Sequence, residues 1–328
     1  MAFGIDFNKI HLKPRGKNSK VTYQWHCLCH RLTPVCSLRS RAQFLLDSFG
    51  SRKDKDYILD RVEYYCKLLE STSISGEFTL GTMAKAKNNY FRDFYEYSRF
   101  FDRQLKVDTA FGDNISIPST PSIAKSRPIS KDNQNCVLCN LDKVRHFTFL
   151  KDSLSFTEKQ NKAIFRGAVY QPHRIDFMQK YFGSEWVDCA DTGSQPLKPD
   201  WKAPQITLYD HLIYKFVMAI EGNDVASNLK WIMSSNSIAV MPKPKYETWF
   251  MEGRLIPNVH YIEIKDDFSD LPEKIQYYSK HLDEAQKIID NAHQWVEQFF
   301  DKDREDLIHL LVLEKYFSLT NPNLNLWR

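Results

Sequence analysis

Strand-like and helix-like segments alternate from residue 163 onward, and this alternation restricts the possible folds more than any other feature. Short apolar runs (KAIFRGAVY, WVDCAD, HLIYKFVMAIEG, SIAVMPK, HYIEI) are separated by segments of helical spacing (QPHRIDFMQKYFG, DVASNLKWIMSS, KYETWFMEG, DLPEKIQYYSKH). Strands that alternate with helices of this length predict βαβ units and a parallel sheet. The following segment, DEAQKIIDNAHQWVEQFF, has its apolar residues on one stripe and predicts a long helix that packs against the body.

The first part of the chain has a different pattern. Two segments, RAQFLLDSFGSRKDKDYILDRVEYYCKLLES and NNYFRDFYEYSRFFDRQL, carry apolar residues at helical spacing, and KVDTAFGDNISIPSTPSIAKSRPI reads as short strands broken by glycine and proline. A polar connector at residues 151–161 indicates a domain boundary. We predict an N-terminal domain over residues 1–155 and a C-terminal domain over residues 156–304, with residues 305–328 as a candidate to pack on the first.

One predicted strand end carries two arginines. In a parallel α/β sheet, ligands bind outside the carboxyl ends of the strands, beside helix N-termini. The segment IFRGAVYQPHR places Arg166, Gly167 and Arg174 at such an end. Two guanidinium groups near a helix start suit a diphosphate, because they offer bidentate hydrogen bonds and the helix adds backbone N–H groups. Gly167 lets the backbone turn or approach a ligand closely.

A second strand end carries the sequence EGND. Gly222 permits a turn, and Asp224 or Ser227 is a candidate to cap the next helix, whose free amides could then bind an anion or sugar hydroxyls. The alternative is that Glu221, Asn223 and Asp224 form a polar cap and bind nothing. Two such ends in one α/β domain favour a nucleotide or nucleotide-sugar site, although the chain has neither a dinucleotide-binding fingerprint nor a P-loop.

Three segments that occur in order together resemble glycosyltransferase family 90. They are FRGAVYQPHRID, YKFVMAIEGNDVASNLKWIMSSNSIAVMP and YETWFMEGRLIPNVHYIEIKDDFSDL. That family includes eukaryotic protein O-glucosyltransferases, fungal capsule-associated xylosyltransferases and bacterial lipopolysaccharide glycosyltransferases. The resemblance covers residues 105–300 and is strongest over residues 163–272. The segment EGNDVASNLKWIMSSNS is most similar to the bacterial lipooligosaccharide branch of the family.

The resemblance implies a GT-B fold, with two Rossmann-like domains facing a central cleft and the donor in the C-terminal one. Arg166 and Arg174 would lie around the donor diphosphate and neutralise its charge, so no metal and no other cofactor is expected. The implied donor-binding residues are Arg166, Gly167, Arg174, Gly222, Asn223, Asp224, Val225, Ala226, Ser227, Lys230 and Glu247, the last on a helix. Ala168 and Val169 depart from the eukaryotic pattern, and Lys230 lies near a replaced arginine, which leaves the choice of sugar open.

The general base is implied to be a carboxylate at the end of an N-terminal-domain strand. An inverting transferase needs such a group to take the proton of the acceptor hydroxyl. The segment VDTAFGDNIS offers Asp108 and Asp113. Asp113 is preferred because it follows Phe111 and a glycine in the position that the family uses. The alternative is an aspartate that merely starts a turn before Asn114.

Charge is concentrated near the N-terminus. The first 50 residues hold eight basic and two acidic residues, a net charge of +6, whereas the whole chain carries +4. This excess predicts an anionic partner, either the phosphorylated acceptor or a membrane surface, unless it is a solvated face. No nucleic-acid partner is expected. The sequence shows neither a membrane-spanning apolar run nor a signal-peptide layout, so we expect a cytoplasmic protein at the inner face of the inner membrane.

Other patterns are interpreted as structural. The D-x-D pairs at residues 54–56 and 301–303 lie in charged, helix-like surroundings, and the C-x-x-C at residues 136–139 has no partner motif. They do not predict a metal site. The seven irregularly spaced cysteines are expected to be reduced thiols.

The family resemblance and the charge distribution together imply a metal-independent, inverting hexosyltransferase. It would move glucose or galactose from a UDP-sugar to a lipooligosaccharide core sugar. Two other functions stay open: a catalytically inactive nucleotide-sugar or glycan-binding partner protein, and a protein O-glycosyltransferase.

Overall fold

The computed structural model describes residues 17–83 and 88–327, and for residues 30, 31 and 35–38 it describes the backbone alone. The helices are α1 Lys20–Leu32, α2 Val35–Ser48, α3 Lys55–Tyr65, α4 Leu80–Met83, α5 Asn89–Ser98, α6 Lys143–His146, α7 Pro172–Tyr181, α8 Leu208–His211, α9 Leu229–Met233, α10 Leu271–Lys280, α11 Leu282–Glu297 and α12 Lys302–Thr320. The strands are β1 Phe78–Thr79, β2 Lys106–Val107, β3 Thr109–Ala110, β4 Ser122–Ala124, β5 Ser126–Pro128, β6 Cys136–Leu138, β7 Gln160–Gly167, β8 Val187–Asp191, β9 Tyr214–Met218, β10 Ile238–Met241, β11 Tyr246–Thr248 and β12 Ile262–Glu263.

The main sheet is parallel throughout the described residues and has the strand order β8-β7-β9-β10-β12. In chain order this is 2-1-3-4-5, the flavodoxin-like doubly wound arrangement. The chain moves from β7 to one edge and then crosses to the other side of β7. The order therefore reverses between β7 and β9, and ligands bind in the crevice outside the carboxyl ends at such a point. The parallel α/β sheet that the alternation predicted is confirmed.

Successive residues of the sheet strands enter two separate apolar clusters. Ile164, Val217 and Met241 pack on one face, and their strand neighbours Phe165 and Phe216 pack on the other. Successive side chains of a strand point to opposite faces. A sheet that is covered on both faces therefore needs strands that are apolar at nearly every position. This explains why these segments read as continuous hydrophobic runs.

Helices cover both faces of this sheet. Helices α7 and α10 bury apolar residues in the cluster of Phe165, and α9 buries its residues in the cluster of Ile164. Helix α7 begins at Pro172 as predicted, where a proline lacks only an N–H group that the helix would not use. The predicted stripe of the long helix is buried in α11, through Ala285, Ile288, Ile289, Ala292 and Val296.

The N-terminal region is mainly helical and surrounds a small parallel sheet of order β3-β4-β6, whose strands have two or three residues. Helix α12 packs against α2, α3 and α5. Apolar residues of this region belong to the same cluster that covers one face of the main sheet. The two regions thus share a core. A second Rossmann-like domain and a GT-B arrangement stay predictions.

The predicted helix at KYETWFMEG is wrong. Its first residues form β11, which pairs antiparallel with β5 and places Glu247 directly opposite Arg127. Beyond the strand, Met251 adopts a left-handed φ of 60°, which a helix does not allow. The cross-strand ion pair stabilises the extended form here, against the helical spacing of the apolar residues.

The predicted helix at DVASNLKWIMSS is shorter than expected. It comprises α9 alone, and Asn228 precedes it in place of Asp224 or Ser227. Neither predicted residue caps it, because the loop is held by other bonds. The Asn228 amide donates to the Met218 carbonyl oxygen at 2.9 Å, and Asp224 binds the side chains of Lys125 and Ser126. The helix therefore begins at Leu229, later than predicted, and has no side-chain cap.

Candidate functional site

A cavity of about 550 Å³ lies outside the carboxyl ends of the main sheet. It is lined by the start of α7, by residues 219–223 after β9 and by residues 241–246 after β10. Small-molecule sites in proteins have volumes of about 300–1,000 Å³, so the cavity has the size of a ligand pocket. It lies at the reversal of strand order between β7 and β9, where the topology predicts a ligand.

One carboxylate reaches this cavity from the N-terminal region. Asp113 follows β3, and Gly112 just before it has a φ of +117°, a conformation that favours glycine. The Asp113 Oδ2 atom accepts a hydrogen bond from the Asn223 side chain at 3.3 Å. Asp113 is one-fifth exposed and lines the cavity. The structure thus brings Asp113 and the EGND loop together.

A buried lysine holds Asp113 in place. Lys125 is 1% exposed, and its Nζ atom lies 2.6 Å from Asp113 Oδ1 and 2.6 Å from Asp224 Oδ2. Ser126 donates to the same oxygen of Asp224 at 2.7 Å. We call Asp113, Lys125 and Asp224 the cavity cluster. It ties the segment after β3 to the loop after β9.

Lys125 favours the ionised form of the Asp113 carboxyl. Partial burial by itself would raise the pKa of the Asp113 carboxyl, but the hydrogen bond and the charge of Lys125 outweigh it, with a further contribution from Arg145. The pKa of Asp113 is therefore lowered. Arg145 Nη1 lies 3.8 Å from Asp113 Oδ1. A carboxylate that is ionised and faces a cavity can accept a proton from a bound hydroxyl.

The carboxylate of Asp108, the other candidate base, is hydrogen-bonded to residues outside the cavity. Its carboxylate accepts hydrogen bonds from the Ser75 backbone and side chain, both at 2.7 Å, from Gly76 N at 3.1 Å and from Thr120 at 2.7 Å. Burial opposes the ionisation of Asp108, yet these donors lower its pKa. It is 8% exposed and is not among the residues that line the cavity. Its bonds stabilise the fold.

Arg174 lies behind the cavity wall. Its guanidinium donates to the backbone carbonyl oxygens of Ala168, Ile220 and Glu221 at 2.8–3.0 Å. Burial lowers the pKa of Arg174 to about 10. A Cβ atom at Gly222 would lie 3.4 Å from Arg174 Nη2, so this glycine allows the loop to pack on the guanidinium. Arg174 thus fixes the loop that forms the floor of the cavity.

Arg166 and Arg174 are held by different partners. The Arg166 guanidinium donates to the Asp188 carboxylate at 2.6 Å and to the Asp188 carbonyl oxygen at 2.8 Å. Tyr214 donates to the other oxygen of the same carboxylate. Arg166 does not line the cavity. The structure therefore does not bring the two arginines together around one open position.

The remaining predicted donor residues divide into two groups. Those that line the cavity are Gly222, Asn223, Val225 and Ala226; those that do not are Gly167, Asp224, Ser227, Lys230 and Glu247. Lys230 lies one layer behind, with its Nζ atom 2.5 Å from Glu252, which does line the cavity. Glu247 is 2% exposed and binds Arg127 Nε at 2.7 Å and the Tyr64 hydroxyl.

Several cavity residues were not predicted as ligand contacts. Glu221 accepts hydrogen bonds from the backbone N–H groups of Lys245 at 2.9 Å and Tyr246 at 3.2 Å, and burial raises its pKa to about 7. Lys243 and Lys245 are exposed at the cavity wall. They follow β10 directly, so the rule of carboxyl strand ends could have found them. No sequence signal marks Lys125.

Patterns that were set aside as structural have structural partners here. Asp54 and Asp301 form ion pairs with Arg52, and Arg304 also binds Asp54. The cysteines of the described residues are free thiols. Among the side chains that the structure describes, no group of three or more His, Cys, Asp or Glu residues is placed to hold a metal ion.

Comparison with known proteins decides the family. The model of glycosyl transferase family 90 matches residues 142–325. An O-glucosyltransferase LpsA of Dichelobacter nodosus is 41% identical over 235 residues, which are 72% of this chain and 74% of that protein. The chain belongs to glycosyltransferase family 90. The family resemblance predicted from the ordered motifs is confirmed, and so is its bacterial branch.

Two human relatives are less similar to this chain. Protein O-glucosyltransferase 3 of Homo sapiens is 27% identical over 49% of this chain and 33% of its own length. Protein O-glucosyltransferase 1 of Homo sapiens is 25% identical over 44% of this chain and 39% of its own length. The family match includes the main sheet and the loops around the cavity. It begins after Asp113 and Lys125, so for those two residues the geometry is the evidence.

Proposed function

We propose that this family 90 glycosyltransferase moves glucose from a UDP-sugar to a hydroxyl of a lipooligosaccharide or lipopolysaccharide core sugar, with inversion and without a metal. The observation that carries the proposal is the position of Asp113. This ionised carboxylate of the N-terminal region faces a cavity of about 550 Å³ at the reversal of strand order in the main sheet. A donor at the strand ends would thus lie opposite a base.

The proposed step needs one base and one stabilised leaving group. The acceptor oxygen attacks the anomeric carbon while its proton passes to the Asp113 carboxylate. The bond between that carbon and the phosphate oxygen breaks, and the nucleoside diphosphate leaves with the electron pair. Attack from the side opposite the leaving group inverts the anomeric centre. The charge that develops on the diphosphate must be met by fixed cations or backbone N–H groups.

Lys243 and Lys245 are our candidates for meeting that charge, because both line the cavity and are exposed. Lys245 Nζ lies 3.3 Å from Asp266 at the rim. The direct role predicted for Arg166 and Arg174 stays a prediction. Each guanidinium would have to exchange its present carboxylate or carbonyl partners for phosphate oxygens.

Glucose is favoured over galactose because the bacterial relative and the human relatives are all named O-glucosyltransferases. The acceptor class rests on the bacterial branch and on the basic N-terminal region. A protein acceptor is the second candidate, favoured by the names of the human relatives. Within the described residues, no helix is long and apolar enough to span a membrane. We propose that the protein acts at the inner face of the inner membrane.

A screen of donors and acceptors tests this function. The purified protein is incubated with UDP-glucose, UDP-galactose and GDP-mannose, each with a dephosphorylated core oligosaccharide or an unfolded peptide as acceptor. We expect transfer from UDP-glucose to the oligosaccharide in the presence of a chelator, with the product anomer of opposite configuration by NMR. Transfer to the peptide alone would support the second candidate. Absence of transfer from every donor would contradict both.

A further inference from the structure

Helix α1 has a buried inner face and an exposed apolar outer face. Tyr23 and His26 on the inner face are 2% and 4% exposed, and Tyr23 donates to Asp93 of α5 at 2.9 Å. On the outer face Val21, Trp25, Leu28 and Leu32 are 73%, 65%, 45% and 73% exposed. Spacings of four, three and four residues place these side chains within an arc of about 60°. We call these four residues the outer stripe.

Contacts of α1 with the rest of the protein direct the outer stripe outward. Just before α1, the Asn18 side chain donates to the carbonyl oxygens of Phe147 at 3.0 Å and Val144 at 3.3 Å. Ser19 caps the helix by accepting from Thr22 N. The outer stripe extends over about 16 Å of the helix. It is therefore an apolar ridge on a helix fixed at its start and along its inner face.

The charge around the stripe identifies its partner. No acidic residue occurs between Asp6 and Asp47. The first 50 residues hold eight basic residues, and those seen to be exposed are Lys17, Lys20 and Arg39. Arg41 forms an ion pair with Asp303. Outside the described residues lie Lys9, Lys13, Arg15 and the side chain of Arg31. The outer stripe includes a tryptophan, and the sequence around it is basic without an acidic residue. This is the composition of a helix that lies in an anionic lipid interface.

A second copy of the chain fits this face poorly. Stable protein interfaces use about 20–30 residues on each side, whereas the stripe has four. Two copies would also bring two basic regions together, and like charges across an interface disfavour association.

We propose that α1 docks this protein onto an anionic lipid surface. The outer stripe would enter the boundary between headgroups and acyl chains, and Lys17 and Lys20 would contact lipid phosphates. The proposal makes the membrane location proposed above more specific. It depends on the proposed function only in assuming that the acceptor is linked to lipid. It assigns the contact to one face of one helix.

Sedimentation with vesicles tests the proposal. The full chain is mixed with vesicles of phosphatidylcholine, alone or with phosphatidylglycerol, and we expect binding to the anionic vesicles that weakens with salt. The double variant Trp25→Gln with Leu32→Gln should reduce the partition constant about tenfold or more. Lys17→Gln with Lys20→Gln should do the same for anionic vesicles. Leu69→Gln with Leu197→Gln, two exposed leucines outside α1, should change nothing.

Three results would overturn the docking role. The first is wild-type protein that ignores anionic vesicles, and the second is a stripe variant that binds them as well as wild type. The third is a dimer of the wild type that the stripe variant loses, which would make a second copy the partner.

Thermal melting shows whether the variants fold. The stripe variant should glucosylate soluble oligosaccharide at the wild-type rate. Vesicle binding through α1 without any sugar transfer would leave docking intact and contradict the proposed function.

Discussion

Lys125 and Arg127 are two residues apart, yet the carboxylates that they bind have different surroundings. Arg127 and Glu247 are 0% and 2% exposed, and their ion pair of 2.7 Å is enclosed by protein. We call them the enclosed pair. Lys125 is as deeply buried, but one of its two carboxylates, Asp113, opens to the cavity. The same kind of contact therefore supports the fold in one place and a candidate base in the other.

The difference lies in the acceptor positions that remain open. Arg127 also donates to the carbonyl oxygens of Tyr64 and Cys136, and the Tyr64 hydroxyl donates to Glu247. Each polar group of the enclosed pair thus has a protein partner. Asp113 Oδ2 has one bond of 3.3 Å, from an exposed asparagine side chain. A carboxylate can receive a proton from a ligand only where the ligand can reach it.

The largest effect is expected for Asp113→Asn. An amide cannot take the proton of the acceptor hydroxyl, so the transfer rate should fall about 10²–10⁴-fold. Binding of the donor, measured by calorimetry, should change little, and thermal melting shows whether the variant folds. Asp132→Asn is the matched control, since Asp132 is an exposed aspartate of the same region that does not line the cavity. A variant Asp113→Asn that retained about a tenth or more of the rate would remove Asp113 from the role of base.

Arg127→Met should damage the other region instead. Removal of one member of a buried ion pair leaves an uncompensated charge, which costs about 3–5 kcal/mol of unfolding free energy. Arg254→Met is the control, because the pair of Arg254 with Asp60 is exposed and should contribute about 1 kcal/mol or less. Urea denaturation measures both. Equal losses in the two variants would contradict the distinction between enclosed and open contacts.

Glu221 combines features of Asp113 and of the enclosed pair. It faces the cavity, as Asp113 does, but its carboxylate accepts hydrogen bonds from two backbone N–H groups. Burial raises its pKa from 4.5 to about 7. Between these values the folded state holds a proton that the unfolded chain releases. The contribution of Glu221 to the unfolding free energy is therefore fully present at low pH and is lost as the pH rises from about 4.5 to about 7.

Glu221→Gln should remove this pH dependence. The wild type should lose about 2 kcal/mol more unfolding free energy than the variant between acid and neutral pH, a value reduced by the partial exposure of the side chain. Denaturation with urea on both sides of the pH window measures the difference. Parallel pH profiles for the two proteins would show that Glu221 does not titrate in this way.

The main sheet was predictable from the sequence because each of its units is local. A strand such as β9 and the helices around it show their period within about 20 residues, and burial on both faces makes the strands apolar throughout. The small strands of the N-terminal region and β11 were not predictable in this way. Strand β11 depends on its pairing with β5, which lies far away in the chain.

The candidate site was predictable where residues follow a strand directly. Gly222 was found by this rule and lines the cavity, and Asp113 and Asn223, which also line it, were implied as site residues by the family resemblance. Arg166 was predicted by the same rule, but its guanidinium bonds to Asp188 of the neighbouring strand. Lys125 gave no signal, since its role arises from contacts between segments that are distant in sequence.

The most direct test of the central claim is the pH dependence of kcat/KM in a variant without the buried lysine. Lys125→Met combined with Asp224→Asn removes the lysine together with the carboxylate that it would leave buried. Without the charge of Lys125, the burial of Asp113 is less strongly opposed, so the pKa of the Asp113 carboxyl should rise. The acidic limb of kcat/KM reports the pKa of the base in the free enzyme and should move to higher pH. An acidic limb at the wild-type position, in a variant that folds and transfers glucose, would contradict the assignment of Asp113 as the base that Lys125 holds ionised.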